Sequence, residues 1–278
     1  MRSTPIEIAC ASRRDYLPHV ATMLASALAN AGAPVRANLL VGDDVADGDL
    51  APLETMLDDG GSELRTLRPD PAQVEDLTVT ATLPAAHWYR QLLPELPELA
   101  GTARALYLDA DLLVLGSLAP LWGLDLGGAA LAAVDNVFPD PDSGARYCEA
   151  LGVEPGGYFN TGVMLLDLDE LRRLRSFDRI RAFGRDAPVR LILPEQDAMN
   201  AVLAGSRKRL APRWNSMRAL ELPHARSRFT AAEIETARAE PVIRHFEGSE
   251  LKPWSPEAPA LDRDLWARYS RHVPELLR

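Results

Sequence analysis

The chain has 278 residues, 47% of them hydrophobic, and a formal net charge of −10. That is enough apolar material for one large domain or two small ones, and the acidic balance disfavours free nucleic acid, because neutralising phosphates needs a basic face. Two cysteines without metal-type spacing, no apolar run near 18 residues and no leader-like apolar stretch at the start give no sign of a disulfide framework, a zinc site, a membrane span or a signal peptide.

The cytoplasm is therefore the expected compartment. Ile6 to Ala11 has the composition of a short buried strand, with Cys10 as a small core residue. Leu17 to Ala31 carries Val20, Leu24, Ala27 and Leu28 at helical spacing and stops at Gly32. Val35 to Val41 and Glu63 to Leu67 predict the next strands, which makes a βαβ unit and a parallel sheet. Residues 85–99 predict a helix interrupted by Pro94 and Pro97. Strands are predicted at Ala105 to Leu108, Ala129 to Val134 and Gly162 to Leu168, and a helix at Glu195 to Leu203. Residues 249–259 hold three prolines and predict irregular structure. Leu261 to Leu277 predicts an amphipathic helix with Leu261, Leu265, Tyr269 and Val273 on its apolar face. Its Trp266, Arg268, Tyr269 and Arg271 would suit a membrane surface, but a helix docked on the domain is the preferred reading. No internal repeat, G-x-G-x-x-G or P-loop sequence occurs, which disfavours dinucleotide and P-loop enzymes.

The most informative stretch is residues 105–122. An apolar run ends in Asp109-Ala110-Asp111, and another, Leu112 to Leu115, follows at once. In extended chain, residues i and i+2 point the same way, so both carboxylates can face one cation while Ala110 turns aside. Ligands of open α/β sheets bind at this C-terminal edge of the strands. Five Asp-x-Asp triplets occur, but only this one lies between two strand-like runs. The other reading is a strand-end turn with a helix cap.

Four further segments carry polar residues that a plain core would not need. They are Trp88-Tyr89-Arg90, Tyr158-Phe159-Asn160-Thr161-Gly162, Pro194-Glu195-Gln196-Asp197, and His245-Phe246-Glu247-Gly248 followed by Lys252-Pro253-Trp254. In order with Leu108-Asp109-Ala110-Asp111, they resemble glycosyltransferase family 8, the group of glycogenin, bacterial lipopolysaccharide galactosyl- and glucosyltransferases and galactinol synthases. The resemblance runs from about residue 6 to residue 254. It implies a GT-A fold: a Rossmann-like α/β domain with a mixed, mainly parallel central sheet that binds a nucleotide sugar. The domain would span residues 1–255, with residues 256–278 as a C-terminal helical extension.

By this resemblance Asp109, Asp111 and His245 are the metal ligands. Two carboxylates and an imidazole suit Mn²⁺ better than Mg²⁺, which prefers oxygen ligands, though Mg²⁺ is allowed. The resemblance makes Lys252 stabilise the departing diphosphate. Lys252 is one of only two lysines in a chain that otherwise uses Arg. A compact ammonium approaches a phosphate oxygen closely. Asp135, Asn160, Glu195 and Gln196 take the sugar-contacting positions, with Gln196, Lys252 and Asp135 the candidate catalytic residues. Arg90 would reach the nucleotide sugar, and Asp197 would bind sugar or orient its neighbours. Ala110, Thr161 and Gly248 fall within the matching binding motifs. Ala11-Ser12-Arg13-Arg14-Asp15-Tyr16 resembles the nucleotide-binding turn, with Tyr16 stacked on the base and Asp15 as a polar base contact. For Tyr16 the other reading is the first core residue of its helix.

Two positions depart from the family pattern. Arg13 stands where the family commonly has an acid that accepts a hydrogen bond from uracil, and Arg only donates. Three residues, Ser249, Glu250 and Leu251, separate Gly248 from Lys252, where the family usually has two. Residues 136–157 fall in the family's variable acceptor region. The implied activity is metal-dependent, retaining transfer of a hexose from UDP-glucose or UDP-galactose. The acceptor would be a glycan, a lipid-linked saccharide or a small molecule. A nucleotidyltransferase and a catalytically idle sugar-nucleotide-binding module are the alternatives.

Overall fold

The apolar runs become strands, and alternation along them decides which face of the sheet each residue covers. The computed structural model describes residues 4–79, 85–154, 156–248 and 251–277. Its strands are β1 (Ile6–Ser12), β2 (Val35–Val41), β3 (Glu63–Leu67), β4 (Arg104–Leu108), β5 (Leu112–Val114), β6 (Leu131–Asp135), β7 (Phe159–Asp167), β8 (Arg207–Arg209) and β9 (Ile243–His245). Seven form one sheet in the order β3-β2-β1-β4-β7-β6-β8, and β5 pairs with β9 in a second. Every pairing in the large sheet is parallel except the two made by β7. This is the mixed, mainly parallel α/β sheet expected from the sequence.

The helices are α1 (Leu17–Asn30), α2 (Asp47–Asp59), α3 (Ala119–Trp122), α4 (Pro141–Ala150), α5 (Leu168–Arg173), α6 (Ser176–Asp186), α7 (Pro194–Leu203), α8 (Ala231–Ala239) and α9 (Ala260–Ser270). Both faces of the sheet are covered. Ile8, Cys10, Leu106 and Leu108 pack with Val20 and Leu24 of α1 in one core. Their neighbours Ala9, Ala105 and Tyr107 turn to a second core with Trp88, Leu92 and Met199. A strand buried on both faces reads as an unbroken apolar run, which is why β4 stood out in the sequence.

Two elements differ from expectation. Residues 85–99 form 3₁₀ turns at Ala85–Glu95 and Pro97–Leu99. Pro94 and Pro97 each lack the N–H that an α-helical ladder needs. The last helix ends at Ser270, before a separate 3₁₀ turn at Glu275–Leu277. Leu261 is 84% exposed, and Trp266, at 4%, takes the inward position. Five residues of helix turn the chain by about 140° from a face, so the larger ring displaces Leu261 to the outside. Trp266 packs on Trp254, with ring centroids 5.0 Å apart, and on Phe246 at 5.9 Å. Asn30 of α1 donates to the Tyr269 hydroxyl at 3.0 Å, so α9 is docked on α1. Among the described residues no helix is long and apolar enough to cross a membrane.

The small sheet positions the site. Pairing sets Leu112 opposite His245, and Phe246 N donates to Asp111 O at 2.9 Å. On the other side of the Asp pair, β7 runs antiparallel to β4, and Asp109 N donates to Gly162 O at 2.9 Å.

Candidate active site

The chain leaves β4 at Leu108, turns through Asp109-Ala110-Asp111 and enters β5. Ala110 is buried in the core, and the two carboxylates face His245. His245 Nε2 lies 3.2 Å from Asp111 Oδ1 and 4.0 Å from Asp109 Oδ2. One donor atom from each residue falls within 4.8 Å of the others. Two carboxylates and one imidazole so placed are a donor set for a divalent cation. Burial alone would raise the Asp111 pKa, but His245 and Lys252 override it and hold the carboxyl below the usual carboxylate range. Burial alone would lower the His245 pKa, and Asp111 reverses that. Gly162 lines the cluster. A Cβ there would lie 2.8 Å from Asp109 Oδ2 and 3.0 Å from His245 Nδ1, so only glycine leaves room for both side chains.

Lys252 reaches the same cluster. Its ammonium pairs with Asp111 and donates to Phe246 O at 2.8 Å. Gly248 (φ +84°) and Leu251 (φ +53°) both adopt left-handed backbone. The longer Gly–Lys connection thus still delivers Lys252, at the cost of a strained non-glycine residue; Ser249 and Glu250 lie outside the described residues. Trp254, two residues on, stacks on His19 with centroids 3.5 Å apart at 13°, and Tyr16 meets Trp254 edge-on at 6.1 Å. The turn after β1 and the Lys-Pro-Trp segment are therefore joined. Burial lowers the His19 pKa to about 4, so the stacked ring is neutral.

A second polar group adjoins the Asp109–Asp111–His245 cluster. Arg90 is buried from its 3₁₀ turn and bridges Asp109 at 3.1 Å and Glu195 of α7 at 3.5 Å, over the Tyr107 ring at 4.4 Å. It also donates to Thr161 O at 3.1 Å. Burial alone would lower the Arg90 pKa, and Asp109 and Glu195 reverse that. Burial raises the Glu195 pKa to about 7, against the pull of Arg90. Gln91 donates to Glu195 at 2.7 Å. Gln196 Oε1 accepts from Thr161 N at 3.1 Å, with Asn160 Nδ2 at 3.4 Å. Thus Arg90, Asn160, Thr161, Glu195 and Gln196 converge beside Asp109, as their motifs predict.

The other candidates are held differently. Asp197 is fully buried: Tyr158 and Tyr147 hydroxyls donate to it at 2.5 and 2.7 Å, and Ile192 N and Leu193 N at 2.9 and 2.7 Å. Four donors occupy its lone pairs, which makes it an organiser of the start of α7. Asp135, at the end of β6, is ion-paired with Arg207 at 2.5 Å and Arg209 at 2.9 Å. Asp15 pairs with Arg13 at 2.7 Å, and the Arg13 guanidinium lies 5.3 Å from the Tyr16 ring centroid. Ala11 packs against the second core, and Ser12 Oγ donates to Arg13 O at 2.9 Å.

Sequence reasoning missed Gln91 and Asn215. Asn215 is fully buried, between His245 Nδ1 at 2.9 Å and Asn160 Oδ1 at 2.8 Å. Gln91 sits directly after the Trp-Tyr-Arg motif, a usable signal. Asn215 follows Trp214 in a segment without periodicity, and nothing local marks it.

The strand order and the acidic pair at the edge of β4 define a GT-A glycosyltransferase architecture. The galactosyltransferase LgtC, solved in complex with donor and acceptor sugar analogs, shares this fold with a TM-score of 0.83 at 24% identity, over 97% of this chain and 98% of that one. General stress protein A of Bacillus subtilis is 29% identical over 275 residues, 96% of this chain and 93% of that protein. Glycosyltransferase GlyF of Streptococcus pneumoniae is 26% identical over 231 residues, 81% of this chain and 53% of that protein. Residues 7–258 match the profile of glycosyl transferase family 8, and the chain belongs to that family of glycosyltransferases.

Proposed function

We propose that the protein transfers a hexose from a UDP-sugar, UDP-glucose or UDP-galactose, to an acceptor hydroxyl with retention of anomeric configuration. The observation that carries this reading is the convergence of Asp109, Asp111, His245 and Lys252 beside the hydroxyl-reading groups of Asn160, Glu195 and Gln196. A divalent cation, Mn²⁺ before Mg²⁺, fits the donor set and, when bound, offsets the charge of the diphosphate. Asp109, Asp111 and His245 hold it. Lys252 supplies a second positive charge to the leaving group and exchanges its bond to Asp111 for one to phosphate. Asn160, Thr161, Glu195 and Gln196 orient the sugar, with Arg90 fixing Glu195 against Asp109. An amide is a poor nucleophile, so Gln196 supports attack by the acceptor on the face the diphosphate leaves. Asp135, ion-paired with Arg207 and Arg209 at the end of β6, contacts sugar. The acceptor belongs among glycans, lipid-linked saccharides and small hydroxylated molecules, and the 256–278 segment serves as a docked extension of the 1–255 domain.

The test is a panel of nucleotide sugars with Mn²⁺, scored for UDP release. Release of UDP from a UDP-hexose, with or without acceptor, is the expected result. Binding of UDP without turnover would overturn it in favour of an idle module, and release of pyrophosphate in favour of a nucleotidyltransferase. Asp111→Asn should abolish Mn²⁺-dependent UDP binding; unchanged affinity would remove the metal assignment.

A further inference from the structure

We propose that Asn215 is a positioning residue that fixes the tautomer of His245, so that Nε2 presents a lone pair to the cation. The proposal rests on the metal reading above, but its structural half is testable without metal.

The polarity follows from groups whose roles are not interchangeable. A backbone N–H only donates. Gly162 N reaches Asn160 at 3.0 Å, so the Asn160 atom it meets is the carbonyl oxygen, Oδ1. Asn215 meets that same oxygen at 2.8 Å and must present its NH₂ group to it. The reversed amide would set two acceptor oxygens against each other at that distance. With Nδ2 spent on Asn160, Asn215 turns Oδ1 toward His245 Nδ1, 2.9 Å away. An oxygen accepts, so Nδ1 carries the proton. Nε2, the nitrogen facing Asp109 and Asp111, is then the one that can ligate.

The far end of the chain agrees independently. Thr161 N donates to Gln196 Oε1 at 3.1 Å, which fixes the Gln196 amide and turns its Nε2 to the Tyr158 hydroxyl at 3.2 Å. Tyr158 passes its own proton to Asp197 at 2.5 Å. Asn160 Nδ2 faces Gln196 Oε1. Every donor therefore points one way, from His245 through Asn215, Asn160, Gln196 and Tyr158 to Asp197, and two backbone amides pin the direction. A histidine that ligates through one nitrogen needs its other N–H held in this manner. The sugar-reading amides thus also orient a metal ligand.

The first test is the ¹⁵N spectrum of histidine-labelled protein without metal at pH 9, with the His245 resonance assigned by its loss in His245→Gln. The expected result is a protonated Nδ1, held toward Asn215. A bare Nδ1 beside a protonated Nε2 would overturn the proposal, whatever the enzyme's activity. The second is Asn215→Ala, with Mn²⁺ affinity measured by calorimetry in the presence of UDP. A tenfold to hundredfold loss is expected, the usual range for such orienting partners, and a mixed tautomer in the spectrum. Wild-type Mn²⁺ affinity in a folded Asn215→Ala would overturn it. Should this variant fail to fold, the wild-type spectrum still decides. Wild-type protein that binds no Mn²⁺ would sink the metal reading while leaving the tautomer result standing on its own.

Discussion

Gly162→Ala is the sharpest perturbation of the proposed metal centre, because it adds one methyl group between two ligands. The new carbon would lie 2.8 Å from Asp109 Oδ2 and would crowd the His245 ring. Relief to ordinary contact moves the Asp109 carboxylate by about 0.7 Å and the His245 ring by more, since atoms at van der Waals separation sit near 3.5 Å. Metal sites tolerate ligand distances to within about 0.2 Å. Mn²⁺ affinity, titrated calorimetrically into UDP-saturated protein, should fall at least tenfold. Overpacking a buried position also costs about 1–3 kcal/mol, so the thermal midpoint should drop by several degrees. Gly184→Ala provides the control: its Cβ would meet Trp88 at 2.8 Å, away from the ligands. It should lower the midpoint while leaving Mn²⁺ affinity intact. If Gly162→Ala bound Mn²⁺ within twofold of wild type at an unchanged midpoint, the close approach of β7 to the Asp pair would have no role in shaping the site.

Lys252→Ala should depress kcat by about tenfold or more, while UDP affinity changes little, because the ammonium's charge matters most as the diphosphate departs; an intact kcat would detach Lys252 from the reaction. Burial keeps Glu195 protonated up to about pH 7, whereas in an unfolded chain it ionises near 4.5. The folded state then binds the extra proton between those values, and its stability falls as pH rises through that window, by on the order of 3 kcal/mol. Glu195→Gln should flatten this slope in urea midpoints recorded from pH 4.5 to 7.5, and parallel curves for the two proteins would refute it. His19 has the opposite sign: its pKa falls from 6.5 to about 4 on burial, so the unfolded chain takes up the proton first and stability drops as pH falls from 6.5 toward 4. His19→Phe keeps a ring on Trp254 and should remove that loss, read as a smaller difference between midpoints at pH 7 and pH 5.

Much of the fold was legible because buried parallel strands advertise themselves. Val35–Val41 and Glu63–Leu67 have the predicted bounds, and β1 and β4 differ by a single residue. Helix α2 was not predicted: its Leu50, Leu53 and Leu57 have helical spacing, but Gly48 and Pro52 interrupt the pattern. Strands β5 and β9 have three residues each, too few for a period, and pair across about 130 positions of sequence. The Asp109, Asp111 and His245 cluster was legible through its motifs, and so was the meeting of Asn160 with Gln196. The partners of Asp197 and Asp135 were not, because they lie far away in sequence: two tyrosines for one, Arg207 and Arg209 for the other. The same holds for Asn215, whose importance lies wholly in what flanks it in space.

The pairing of β5 with β9 has a consequence for synthesis. A nascent chain that has emerged only as far as β8 already contains every strand of the large sheet, yet it lacks the imidazole that faces Asp109 and Asp111. The acidic pair therefore waits for its imidazole until β9 has been synthesised.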